Sequence, residues 1–355
     1  NDDETVVRTT KDVLGKMSLR EKVGQLFIVR PEALAENSNA ETAPATDRVD
    51  DAVISRIEEY PVGGIALFSR NITSAEQLPM FISDLQSSSK YPLFIAVDEE
   101  GGRVARIANS DFFNVASYKS MEDIGKSGDA SKAEEVGRQI GSYLKELGFN
   151  LDFAPVADTN TNPQNIVIGD RSYGSDPALV ARMVSAQLDG MHDSGIMGTL
   201  KHFPGHGDTK DDTHSGYVSI EKTWDELKEC ELVPFITALP KADMVMVSHI
   251  TAVNVTSDKL PTSMSETMIT GKLRNELGYD GVIITDAMAM GAVADNYTSA
   301  EAAVTAVKAG VDIVLMPQNL DEAFNGVMNA VTDGEISMER LDESVLRILK
   351  MKAKY

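Results

Sequence analysis

Eight short apolar runs recur along this chain, and stretches of helical period alternate with them. The runs are residues 26–29, 64–68, 93–97, 151–156, 197–200, 244–247, 282–285 and 313–316. They are rich in Val, Ile, Leu and Phe, and most do not alternate apolar with polar. That is the pattern of strands buried on both faces of a parallel sheet. Helical stretches are read at 133–147, 179–192, 223–238, 266–277 and 299–309. Gly148, Gly195, Gly278 and Gly310 follow four of them, where a helix end favours a left-handed residue. Strand–helix alternation predicts an α/β fold. Eight repeats without a break in composition predict a closed (β/α)₈ TIM barrel over an open sheet. A last helix at 338–352 completes the ring. The expected organisation is one catalytic domain over 1–355, with a leading arm and first helix in about 1–20 and no second domain. One long polar insertion, 33–48, follows the first strand.

Barrel enzymes carry their chemistry on the loops after the strands, so the residues that follow each run matter most. After the third run comes Asp98-Glu99-Glu100-Gly101-Gly102-Arg103, and then Arg106. The fourth brings Asp152, Asp158 and the stretch GDRSYG (169–174). The fifth is followed by KHFPGHGDT (201–209) and then by Asp211, Asp212, Thr213 and His214. Ser248 and His249 follow the sixth, and Asp286 closes the seventh as the last residue of GVIITD.

Each residue has a plainer reading beside the chemical one. Asp286 would serve as a cap for the next helix. His202, His206, His214 and His249 would each serve as hydrogen-bonded loop histidines, but four on one face favour chemistry or metal. A metal-dependent barrel hydrolase is one alternative. It wants a close histidine pair after the first strand, where the chain has Pro31-Glu32-Ala33. Pro204 and Gly205 also prevent a helix from aligning His202 with His206. Phosphate-loop, dinucleotide and Gly-x-Ser-x-Gly signatures are absent, and no cofactor is expected. Asp98, Arg106, Arg171 and Lys201 are one acid and three cations around a pocket mouth. Such a set suits a polyhydroxylated ligand, and structural salt bridging is its plain alternative.

Charge and cysteine content narrow the classes further. A formal net charge of -22 opposes encounters with nucleic acid and anionic membrane. No run of 18 apolar residues spans a bilayer. The single cysteine, Cys230, excludes an internal disulfide framework and reads as an unreactive thiol. The start at Asn1 without methionine fits either a processed secreted form or a trimmed chain. The expectation is an exported or cell-surface protein, with a cytoplasmic one as the alternative.

These motifs resemble glycoside hydrolase family 3, in its bacterial β-N-acetylglucosaminidase branch. The likeness runs through MSLREKVGQL (17–26), VDEEGGRVAR (97–106), GDRSYG (169–174), KHFPGHGDTKDDTH (201–214), PTSMS (261–265) and GYDGVIITDAMAMGA (278–292). The resemblance implies Asp286 as the nucleophile and His214 as the acid/base, with Asp212 holding the histidine. It implies sugar contacts from Asp98, Arg106, Arg171, Lys201 and His202. The branch's usual Asp-Ser-His is Asp212-Thr213-His214 here, and Asp211 adds a neighbouring acid. Relatives acting on glucose or xylose carry a glutamate acid/base in a second domain, which is not found within this sequence.

The implied reaction is retaining removal of terminal β-linked N-acetylglucosamine. The usual retaining glycosidase uses two carboxyl groups about 5–5.5 Å apart; here histidine would replace one. In other families the 2-acetamido group itself attacks; an aspartate at the end of the seventh strand favours attack by the protein. The family context points to peptidoglycan-derived fragments, with chitin oligomers and glycoconjugates as further sources of the same sugar. Two alternatives keep the scaffold: a phosphorylase, in which phosphate replaces water, and a sugar-binding barrel without activity.

Overall fold

In a computed structural model, residues 2–35, 43–209 and 217–355 are described. Eight strands form one parallel sheet that closes on itself. They are β1 (Phe27–Val29), β2 (Gly64–Leu67), β3 (Phe94–Val97), β4 (Leu151–Asp152), β5 (Met197–Phe203), β6 (Met244–Val247), β7 (Val282–Thr285) and β8 (Val314–Leu315). Their spatial order is β7-β6-β5-β4-β3-β2-β1-β8. Closure comes from a parallel bridge between Ile284 and Ile313, which joins β8 to β7. The chain is therefore a (β/α)₈ barrel, as expected.

The strand interior is the core. Every residue of β1, β2, β3, β6 and β7 is buried, because the barrel packs one face of each strand and the helices cover the other. The helices are amphipathic to match. In Ala130–Leu147 the buried set Ala133, Val136, Gly137, Ile140, Gly141 and Leu144 recurs at three- and four-residue steps. This helix packs against Pro177–Asp193 at backbone contact. A Cβ on Gly137 would lie 2.1 Å from the Gln187 carbonyl, and one on Gly190 1.9 Å from that of Glu134.

Several elements differ from the sequence reading by more than a residue or two, or in kind. The fourth run shrinks to two strand residues, with one later bridge from Val156 to Lys201; Pro155, between them, has no N–H to give a ladder. The fifth strand runs on through Lys201, His202 and Phe203, so Lys201 and His202 stand on a strand and not on a loop. The helix expected at 223–238 is two, Trp224–Glu229 and Val233–Ala238. Pro234 would clash with the Cys230 carbonyl in a continuous helix, and Cys230 leaves helical geometry at φ -138 and ψ -77. The helix expected at 266–277 is wound as a π-helix over Thr267–Glu276.

Candidate active site

A cavity of about 410 Å³ opens at the C-terminal ends of the strands. That volume lies in the range of small-molecule sites. Its lining divides by strand. Asp98, Glu100, Arg106, Arg171, Lys201 and His202 come from β3 to β5 and the segments after them; Met246, Ala287, Ala289, Met290, Leu315 and Met316 come from β6 to β8. The charged pairs gather on the first side, and on the second Asp286 stands among apolar residues. Phe68 also lines the cavity, and the guanidinium groups of Arg30 and Arg106 lie 4.7 and 5.4 Å from its ring centre.

The ionic side is one connected set. Lys201 Nζ donates to Asp98 Oδ1 at 2.9 Å and to Glu100 Oε1 at 2.6 Å. Arg171 binds Glu100 with two parallel donors, Nε to Oε2 at 2.8 Å and Nη2 to Oε1 at 2.6 Å. Arg106 Nη2 lies 3.7 Å from Asp98 Oδ2. The expected single acid and three cations are thus two acids and three cations. Glu100 is the residue that sequence reasoning did not assign, although it stood within the quoted motif. Burial opposes its charge, but Arg171 and Lys201 outweigh that and hold its carboxyl far below the usual range. Lys201 is likewise buried against its charge, and Asp98 and Glu100 hold its ammonium charged above the usual lysine range.

Glu99, next in sequence, does something else. Its carboxylate accepts from the N–H groups of Arg106 (2.5 Å), Ile107 (2.9 Å) and Ala108 (2.8 Å) and from the Tyr143 hydroxyl (2.8 Å). It ties down the loop that carries Arg106, and it is absent from the cavity lining.

Asp286 stands at the end of β7, partly exposed in the cavity. Its Oδ1 accepts the N–H of Ala287 at 2.8 Å. The helix that follows begins at Gly291 with Met290 at its N-cap position, so the capping role open to Asp286 in the sequence is not the one it takes. Withdrawal from water works against its ionisation. The fields of His202 and His249, the Ala287 N–H and Lys201 outweigh this and hold its carboxyl below the usual aspartate value. The arrangement keeps an anion in the cavity at neutral pH.

The histidines separate into two layers. His202 and His206 line the cavity, their ring centres 6.0 Å apart. His249 lies behind, its Nδ1 2.8 Å from the Ser263 hydroxyl and its Nε2 2.8 Å from the Ala287 carbonyl. It steadies the segment after Asp286. Burial and the neighbouring His202 depress the His206 pKa, so at neutral pH that ring is uncharged. His214, Asp212 and Asp211 lie outside the described residues. Among the described residues, no group of three or more His, Cys, Asp or Glu is placed to hold a metal ion, and no helix is long and apolar enough to cross a membrane.

Residues 18–351 match the family model described as glycosyl hydrolase family 3 N terminal domain. Beta-hexosaminidase A of Pseudoalteromonas piscicida is 36% identical over 329 residues, which cover 84% of this chain and 54% of that one. Beta-hexosaminidase LpqI of Mycobacterium tuberculosis is 32% identical over 349 residues, 95% of this chain and 83% of the relative. Among solved structures, a glycoside hydrolase family 3 beta-N-acetylglucosaminidase from Paenibacillus sp. superposes with a TM-score of 0.86 at 38% identity, covering 95% of this chain and 62% of that one. The chain therefore spans little more than half of the Pseudoalteromonas relative and less than two thirds of the Paenibacillus one.

Proposed function

The chain belongs to glycosyl hydrolase family 3, and on that premise we propose that it is a retaining exo-β-N-acetylglucosaminidase. It removes terminal β-linked N-acetylglucosamine, with peptidoglycan-derived fragments as the source. The observation that carries the reading is Asp286, an ionised carboxylate in a cavity that also holds two histidines and a cluster of paired acids and cations. The names of the relatives, two hexosaminidases and one N-acetylglucosaminidase, support the choice of sugar.

Asp286 attacks the anomeric carbon. Its Oδ1 is engaged by the Ala287 N–H, so Oδ2 is the oxygen that bonds to carbon. The glycosidic C–O bond breaks, and protonated His214 gives its proton to the departing oxygen. A water then attacks the glycosyl–Asp286 ester, gives its proton back to His214, and releases the sugar with retained configuration. In this reading Asp212 is the acid that serves His214 by favouring its charged form. Asp98, Arg106, Arg171, Lys201 and His202 bind the sugar hydroxyls. The paired charges suit this work, since carboxylates accept from hydroxyls and the cations donate to them. The apolar wall from Met246 to Met316 covers the C–H faces of the ring.

The test is a panel of p-nitrophenyl glycosides beside a defined N-acetylglucosaminyl–N-acetylmuramic acid disaccharide. N-acetylglucosaminide should be cleaved well ahead of glucoside, with the rate unchanged by EDTA. Equal rates on the two sugars, or loss with chelator that zinc restores, would refute the reading.

A further inference from the structure

Asp158 has no role in the chemistry above, yet both cavity histidines hang from it. It is fully buried in the segment after β4. Its Oδ1 accepts the backbone N–H of His202 at 3.1 Å and that of His206 at 2.7 Å. Its Oδ2 lies 3.3 Å from the same His202 nitrogen and 2.7 Å from the His202 ring atom Nδ1. One carboxylate therefore fixes where two cavity side chains start and how one of them is turned.

The contact also fixes a proton. An ionised carboxylate accepts and cannot donate, so the ring nitrogen facing it carries the hydrogen. When the ring carries a single proton, its lone pair is then at Nε2, which meets no hydrogen-bonding partner among the described residues, on a side chain that lines the cavity. His206 provides the contrast. Its ring atom Nδ1 meets the Thr209 hydroxyl at 2.6 Å, and its buried Nε2 meets no partner among the described residues. That hydroxyl also lies 2.9 Å from the His206 carbonyl and can give its one proton to either atom, so it leaves the His206 tautomer open where Asp158 closes that of His202. Within the ionic half of the cavity, Lys201 and the arginines are donors only. A sugar hydroxyl that gives its own proton needs an acceptor there, and His202 Nε2 supplies one beside Asp98.

We propose that Asp158 is a positioning residue that locks His202 in the Nδ1–H tautomer and so presents Nε2 to the bound sugar as a hydrogen-bond acceptor. The proposal rests on the reading of the cavity as a sugar site. It predicts that Asp158→Asn inverts the face of the ring: the carboxamide can turn its NH₂ toward Nδ1, and the ring proton then moves to Nε2. The cavity would gain a donor where the sugar needs an acceptor, with every side chain of the ionic cluster still in place.

The test reads the tautomer directly, by ¹⁵N NMR of the imidazoles in the wild-type chain and in Asp158→Asn above the pH at which the rings are charged. His202 is assigned by its loss in His202→Gln. The expected result is Nδ1–H in the wild type and Nε2–H in the variant. N-acetylglucosamine should bind the variant about 10–100-fold more weakly, the cost of one hydrogen bond to a committed partner. KM should rise in parallel, while kcat moves little. An Nε2–H tautomer in the wild type would overturn the proposal, as would a folded Asp158→Asn that keeps its affinity. If Asp158→Asn does not fold, the wild-type spectrum alone decides. A wild-type chain that cleaves no N-acetylglucosaminide refutes the functional reading and leaves the tautomer result standing, so the two failures are told apart.

Discussion

At the C-terminal end of the barrel, Glu100 is buried between Arg171 and Lys201; at the N-terminal end, Asp312 is buried between Arg274 and Arg347. The two clusters use the same chemistry, and both are withdrawn from water. They differ in what is left over. Asp312 accepts from the Ser344 hydroxyl at 2.6 Å and the Ile283 N–H at 2.9 Å besides the two arginines. Arg340, beside them, is spent on the Val307 and Val311 carbonyls and on Ser344. That cluster ties the last helix, Met338–Lys354, to the bottom of β7 and β8. The upper cluster borders a cavity instead, and Asp98, Arg106 and Asp286 keep accessible faces there. Buried charge alone does not mark a site; buried charge beside open space does.

The contrast can be broken by substitution, and the largest effect should come from Asp286. Asp286→Ala should lower turnover of every substrate by about 10⁴-fold or more, with thermal stability unchanged. A variant with residual rate near wild type would take the nucleophile away from this end of the barrel. Next is His214→Ala, which should slow release of an alcohol by roughly 10²–10⁴-fold and release of dinitrophenolate far less. A leaving-group series measures this. Equal slowing across the series, with deglycosylation shown not to limit the rate, would remove His214 as the acid.

Asp312→Ala should act on stability and not on catalysis. It strands the arginines, a loss of about 3–5 kcal/mol in denaturant unfolding, while KM and kcat of the folded protein stay as they were. Glu100→Gln should do the reverse in emphasis. It keeps the shape but removes the charge that Arg171 and Lys201 share, and kcat/KM should fall roughly 10–100-fold. If Glu100→Gln lowers stability alone and Asp312→Ala lowers kcat/KM alone, the roles of the two clusters have been misassigned.

The smallest effect concerns Lys352, also at the lower end. Its Nζ donates to Gln25 Oε1 and the Gly63 carbonyl, both at 2.8 Å, and no carboxylate faces it among these bonds. Burial lowers its pKa to about 7 from the ordinary 10.5. Between those values the unfolded chain holds a proton that the folded chain does not, so folding becomes more favourable as pH rises through that window and the gain is absent below about 7. Unfolding measured against pH should show this slope, and Lys352→Met should flatten it. Parallel curves for the two chains would contradict the assignment.

The sites that the sequence reveals are those set by chain position. Asp286 stands out because a charged residue closes an apolar strand, and Lys201 and His202 because the next run ends beside them. The strand there continues three residues past the apolar run, since Lys201 and His202 look polar but stay buried as part of β5. Glu100 and Glu99 are neighbours of one type with opposite uses, and only the pairing of Glu99 with backbone N–H groups tells them apart. Asp158 and Asp312 were illegible for the same reason: their roles depend on partners 44 and 38 residues away. His249 falls on the expected face, but its ring is turned to support the backbone behind Asp286.

The central claim is that Asp286 becomes covalently joined to the sugar. Incubation with a 2-deoxy-2-fluoro glycoside slows breakdown of that ester, and mass spectrometry of the intact chain and of its peptides then locates the label. The account predicts one added sugar, carried by the peptide that contains Asp286 and absent from Asp286→Ala. A label on any other residue, or sugar release with no labelled protein at any time, would contradict it.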